Sequence, residues 1–160
     1  MPRSSSALRP ISDEFFDGLG FQGVFLASRR ALQKKPGYFA SIGRVVAKGT
    51  VFTAASPEAA VRAHWELFPS SRPAGVPEEQ ALTVALAALR ARVSTSRPVE
   101  GRYGFATPAE IERFGRVLMR GGGLRLLPPA GAVYTDALVD RINDFDPERV
   151  IQDARSDAGR

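Results

Sequence analysis

The chain has 160 residues, 44% hydrophobic and 24% charged, a balance that suits one globular domain with a real core. It holds no cysteine and a single histidine, His64, which excludes a disulfide scaffold and thiol catalysis and sets aside zinc and haem. Twenty-two Lys and Arg against seventeen Asp and Glu give a net charge of +5, which favours an anionic partner.

Residues 1–10, rich in Ser, Arg and Pro, read as a flexible arm without the apolar stretch of a signal peptide. No later run reaches membrane-spanning length, so a cytoplasmic protein with no membrane insertion is expected. Residues 11–20 read as a short helix capped by Ser12. "FQGVFLA", 21–27, has the aromatic and branched content of a strand. "SRRALQKK" reads as a helix capped by Ser28 and ended before Pro36 and Gly37. The β-rich runs 39–46 and 50–54 then suggest a hairpin, with Gly49 free to take positive φ in its turn.

"SPEAAVRAHWELF" is patterned as a helix: Ser56 can cap it, Pro57 suits the first turn, and Glu58 suits the positive end of the dipole. Ala60, Val61, His64, Trp65 and Phe68 recur at helical spacing and are expected to face the core, with His64 a packing residue. Residues 78–93 form another helix, with Leu82, Ala85, Leu86 and Leu89 on one stripe. Thr107 and Glu110 mark a capping box that opens a third, and Gly121 to Gly123 stop it. Two short strands are expected around Pro128 and Pro129, then a helix over "TDALVDRINDF". The fold class is therefore mixed α/β (α+β): a single compact domain over 11–145 with a small mixed sheet and several helices. The arm 1–10 precedes it and a frayed tail, 146–160, follows.

Three clusters carry candidate chemistry. Ser28, Arg29, Arg30 and Lys34 sit where a strand would run into a helix start, so free backbone N–H groups and guanidinium groups would face one spot and hold phosphate. Arg113, Arg116, Arg120 and, beyond the glycines, Arg125 are the candidate DNA contacts; the first three share the helix face opposite Ile111 and Leu118. Asp136, Asp140 and Asp144 recur every four residues and, on one helix face, would offer hard oxygen ligands to Mg²⁺. Tyr38 and Phe39 are the one plausible aromatic pair for stacking on single-stranded DNA.

The segment "VFLASRRALQKKPGYFASIGRVV" resembles the phosphate-binding segment of the ParB/sulfiredoxin superfamily, where a strand enters a helix start bearing paired arginines and a second strand follows. Within that superfamily it is closest in general character to plasmid fertility-inhibition proteins, which suppress conjugative DNA transfer and are linked to nucleotide and DNA hydrolysis. The resemblance implies a ParB/sulfiredoxin-like fold and phosphate contacts from Arg29 and Arg30. It also implies ATP or another nucleotide with Mg²⁺ as cofactor, DNA or nucleotide as ligand, and a DNA-transfer component as partner. Ser28 replaces the acidic residue of the family pattern, and the sulfiredoxin cysteine is absent, which excludes sulfinic-acid reduction. The alternative is a non-enzymatic interaction protein that blocks a partner by surface contact.

Overall fold

The helix capped by Ser28 ends before Pro36, as expected, and Pro36 then begins another. The residue before a proline is pushed out of helical geometry, and proline itself fits a first helical turn. Lys35 accordingly takes φ −137° and separates α1 (Arg29–Lys34) from α2 (Pro36–Ala55), a 20-residue helix. The computed structural model describes residues 23–93 and 98–157. In chain order the other elements are α3 (Pro57–Leu67), a 3₁₀ turn (Pro69–Ser71), α4 (Glu78–Val93) and α5 (Pro108–Arg120). Two one-turn helices, α6 (Ala130–Val133) and α7 (Val139–Ile142), precede α8 (Pro147–Asp157). The arm at 1–10 and the helix expected over 11–20 lie outside the described residues.

No sheet forms among the described residues, where the one β pairing is an isolated bridge between Val99 and Arg102. The mixed α/β fold with a small sheet is therefore corrected to a helical one. The hairpin at 39–54 is replaced by α2. Its β-favouring letters are accommodated because the Thr50 and Thr53 hydroxyls donate to the carbonyls of Val46 and Gly49, one turn back, at 2.9 and 2.7 Å. Gly49 does not take positive φ; among the described glycines Gly75, Gly101, Gly104 and Gly122 do. With the hairpin gone, the strand at 21–27 has no edge to pair with, and residues 23–28 carry no regular structure. Around Pro128 and Pro129, which lack N–H donors, the two expected strands give way to bends and α6.

The buried side of α2 explains how a helix with little bulk can organise the molecule. Ala40 and Ala47 are 2% and 1% exposed, and Gly43 lies on the same stripe. Such a strip of small residues lets neighbouring backbones approach closely, and α7 and α8 both pack on α2. A Cβ at Gly43 would stand 2.7 Å from Ile142 Cγ1. Ala154 of α8 is completely buried. The segment from Asp146, expected to fray, is therefore ordered as a helix through Asp157. Arg44 of α2 clamps the same region: its Nε and Nη2 donate to the Arg141 carbonyl at 3.0 and 2.6 Å, and Nη2 reaches Asp144 at 3.3 Å.

The remaining helices follow their local signals more closely. Pro57 opens α3, although the buried Ser56 makes no side-chain cap bond. Val61 is buried as expected, but Ala59 joins it and His64 is exposed. The imidazole lies beside the Phe68 ring at 5.2 Å instead of in the core. The capping box of α5 is formed, with the Thr107 N–H donating to Glu110 Oε2 at 2.7 Å and the Glu110 N–H to Thr107 Oγ1 at 3.3 Å. The loop before α5 is tied to the chain beyond it by Asn143, which both accepts from the Tyr103 N–H and donates to its carbonyl, each at 2.9 Å. No helix among the described residues is long and apolar enough to cross a membrane.

Candidate functional site

Across the Pro36 break, α1 and the first turn of α2 expose two adjacent rows of side chains at four-residue spacing. One row is Arg30, Lys34 and Tyr38; the other is Ala31, Lys35 and Phe39. Within α1, Arg30 and Lys34 are four residues apart and so lie on one face; Tyr38 and Phe39 follow on α2, past the break at Lys35. Together with Ser28 these residues line one open cleft of about 420 Å³. Ser28 is the N-cap of α1, and its hydroxyl oxygen accepts from the Ala31 N–H at 3.1 Å. That bond consumes one of the backbone donors that a phosphate at the helix start would need. The cationic character of the cleft therefore comes from side chains: Arg30, Lys34 and Lys35.

Arg29 does not join them. Its Nη2 donates to the Ala132 carbonyl of α6 at 3.1 Å, which turns the guanidinium away from Arg30. The paired arginines thus have separate duties, one structural and one facing the cleft. Of the four expected phosphate contacts, Ser28, Arg30 and Lys34 are brought together and Arg29 is not.

Tyr38 is 61% exposed, and its ring meets that of Phe39 edge to face, with centroids 5.5 Å apart and planes at 79°. Phe39 is only half-buried, so the pair holds an aromatic surface at the cleft rather than in the core. Among the described residues, no carboxylate lines this cleft and none of its three cations is in an ion pair. A second cleft, of about 310 Å³ beside Trp65, is different. There Arg62 pairs with Glu58 at 2.9 Å and Glu78 at 2.7 Å, and Arg72 pairs with Glu78 at 3.1 Å. Its charges are internally neutralised, which leaves the α1–α2 cleft as the stronger anion site.

No family model, curated protein or solved structure matches this chain.

The other expected clusters fare unequally. Arg113, Arg116 and Arg120 are exposed on α5, and Arg125 is exposed in the bend beyond it. Arg116 lies 3.6 Å from Glu112, one turn earlier, so part of that face is neutralised. The three aspartates are not aligned on one helix, because α7 covers only Val139–Ile142. Asp136 precedes it, its carbonyl accepting from the Val139 N–H at 2.8 Å, and Asp144 follows it and pairs with Arg44 at 3.3 Å. Among the described residues no three His, Cys, Asp or Glu side chains gather to hold a metal. The shared helix face expected of Asp136, Asp140 and Asp144, on which the Mg²⁺ assignment is built, is corrected accordingly. Sequence reasoning omits Lys35, whose place in the second row becomes visible only when the helix is continued past Pro36.

Proposed function

We propose that the protein binds a phosphate-bearing ligand, DNA or a nucleotide, in the cleft between α1 and α2. The reading is carried by one observation: Arg30, Lys34 and Lys35 line a single open cleft, with no carboxylate beside them among the described residues. Clustered cations attract phosphate through long-range field and direct contact, and they release counterions when it binds. The exposed arginines of α5 supply a second basic surface along which a longer polyanion can run. Binding is proposed as the activity of this cleft, since among the described residues its lining supplies cations that hold phosphate and no carboxylate that would hold Mg²⁺ or activate water. Phosphate binding stands independently of the role in suppressing DNA transfer that the family resemblance implies.

The test is titration of a labelled oligonucleotide and of ATP at several salt concentrations, for the wild type and an Arg30→Ala/Lys34→Ala variant. Affinity should fall as salt rises, and the double variant should flatten the logarithmic oligonucleotide salt slope by about 1.5. Equal affinity and equal slope in the two proteins would overturn the reading.

A second reading, a protein that blocks a partner by surface contact, is favoured by the irregular run Val24–Phe25–Leu26, exposed by 63%, 69% and 90%. On that reading neither DNA nor ATP binds, and a Phe25→Ser/Leu26→Ser variant loses its protein partner.

A further inference from the structure

We infer that the ligand of the α1–α2 cleft is single-stranded nucleic acid, with a base stacked on Tyr38 and the neighbouring phosphates held by Arg30, Lys34 and Lys35. This rests on the phosphate-binding reading above and narrows it. A cleft built only for inorganic phosphate or for a duplex backbone needs cations and hydrogen-bond donors; it has no use for an exposed ring. Here the ring is present. Tyr38 lines the same cleft as Arg30 and Lys34 and is 61% exposed, and the edge-to-face contact with Phe39 at 5.5 Å restrains it. Restraint lowers the conformational entropy lost when a base settles on the ring.

In a duplex the base faces are already stacked and only their edges reach the grooves. A single strand leaves each face open, and every base has a π-face, so one aromatic platform serves any sequence. The spacing suits the same ligand. Arg30 and Lys34 stand four residues apart on α1, about 6 Å along its axis, so these two cations step along an extended strand instead of crowding onto one phosphate. Arg30 adds a planar guanidinium that can itself stack on a base while contacting phosphate. Ser28, already accepting from the Ala31 N–H, keeps its hydroxyl proton free to donate to a phosphate oxygen.

The experiment is fluorescence anisotropy with a labelled oligothymidylate of about 10 nucleotides, alone and annealed to its complement. The full-length wild type is compared with Tyr38→Ala, Tyr38→Phe and Arg30→Ala/Lys34→Ala, and circular dichroism checks that each variant is folded. The single strand should bind at least about tenfold more tightly than the duplex, and Tyr38→Ala should weaken it about tenfold, whereas Tyr38→Phe binds as the wild type. Equal binding of single strand and duplex, or a Tyr38→Ala variant that binds like the wild type, overturns stacking while leaving phosphate binding intact. Failure of the wild type to bind either form, with ATP also unbound, overturns both.

Discussion

The Arg29 guanidinium is hydrogen-bonded to the Ala132 carbonyl at 3.1 Å, across 103 residues of chain. The bond ties α1 to α6, while Arg30, about 100° round the same helix, lines the cleft. Adjacent arginines of identical chemistry are thereby given different work by helical geometry alone.

Exchange of the two arginines for alanine should separate stability from binding. Arg29→Ala removes an exposed charged hydrogen bond and should cost on the order of 1 kcal/mol in urea unfolding, with oligonucleotide affinity nearly unchanged. Arg30→Ala should leave the unfolding midpoint within experimental scatter and weaken oligonucleotide binding several-fold. The reverse pattern would show that the roles are misassigned.

Two glycines of α2 should respond to alanine in opposite directions. At Gly43 a Cβ would meet Ile142 Cγ1 at 2.7 Å, so Gly43→Ala should destabilise by about 1–3 kcal/mol as α7 is pushed away. Gly49 is helical, and a Cβ added there would meet nothing within 4 Å, so Gly49→Ala should stabilise by about 0.5–1 kcal/mol. Thermal melting of both variants reads the difference in sign.

Tyr134 should make the protein sensitive to alkali. Its hydroxyl donates to the Gly104 carbonyl and accepts from the N–H of buried Ala106, both at 3.0 Å. Tyr134→Phe leaves that N–H without its partner and should cost about 2 kcal/mol at neutral pH. Burial pushes the hydroxyl above its ordinary value of 10.0, partly opposed by the Ala106 hydrogen bond. A group whose folded pKa is raised contributes stability that is complete below the unfolded value and is lost as pH climbs through the folded one. Burial raises Tyr103 as well, so the wild type should lose stability above about pH 10, and Tyr134→Phe should lose less over the same interval. Urea midpoints measured from pH 8 upward test this.

Arg44 should not be replaceable by lysine. Its two donors converge on the Arg141 carbonyl at 3.0 and 2.6 Å while Nη2 also reaches Asp144, a fork that a single ammonium cannot reproduce. Arg44→Lys and Arg44→Ala should both lower stability by about 1 kcal/mol, with faster amide exchange in α7 and α8. Full rescue by lysine would mean that charge alone holds the contact.

Local punctuation makes several elements legible in the residues themselves. Pro57 opens α3, the Glu78–Val93 stretch forms α4 as patterned, and the Thr107–Glu110 box starts α5. The expected sheet fails because branched residues in 39–54 suit a strand and a helix equally well. What decides for a helix is the Ala40–Gly43–Ala47 stripe, whose partners in α7 and α8 lie about a hundred residues away, beyond any local pattern. Val150, Ile151 and Ala154 carry a helical spacing in the tail, but the surrounding charges mask it. Much the same holds for the candidate site. Ser28, Arg30 and Lys34 are readable from α1 alone, whereas Lys35 and the place of Tyr38 require knowing that helix resumes at Pro36. Arg29 is misplaced by local pattern because its partner, Ala132, belongs to a segment that reads as strand.

The small-residue stripe of α2 also divides what the helix can tolerate. On the buried side volume is the governing quantity, since even one methyl group at Gly43 collides with Ile142. On the outer side Tyr38 is 61% exposed and meets only the edge of the packed structure, through the Phe39 ring. The outer surface of the helix can therefore change by substitution without renegotiating its packing, and the two kinds of change can accumulate independently along one helix.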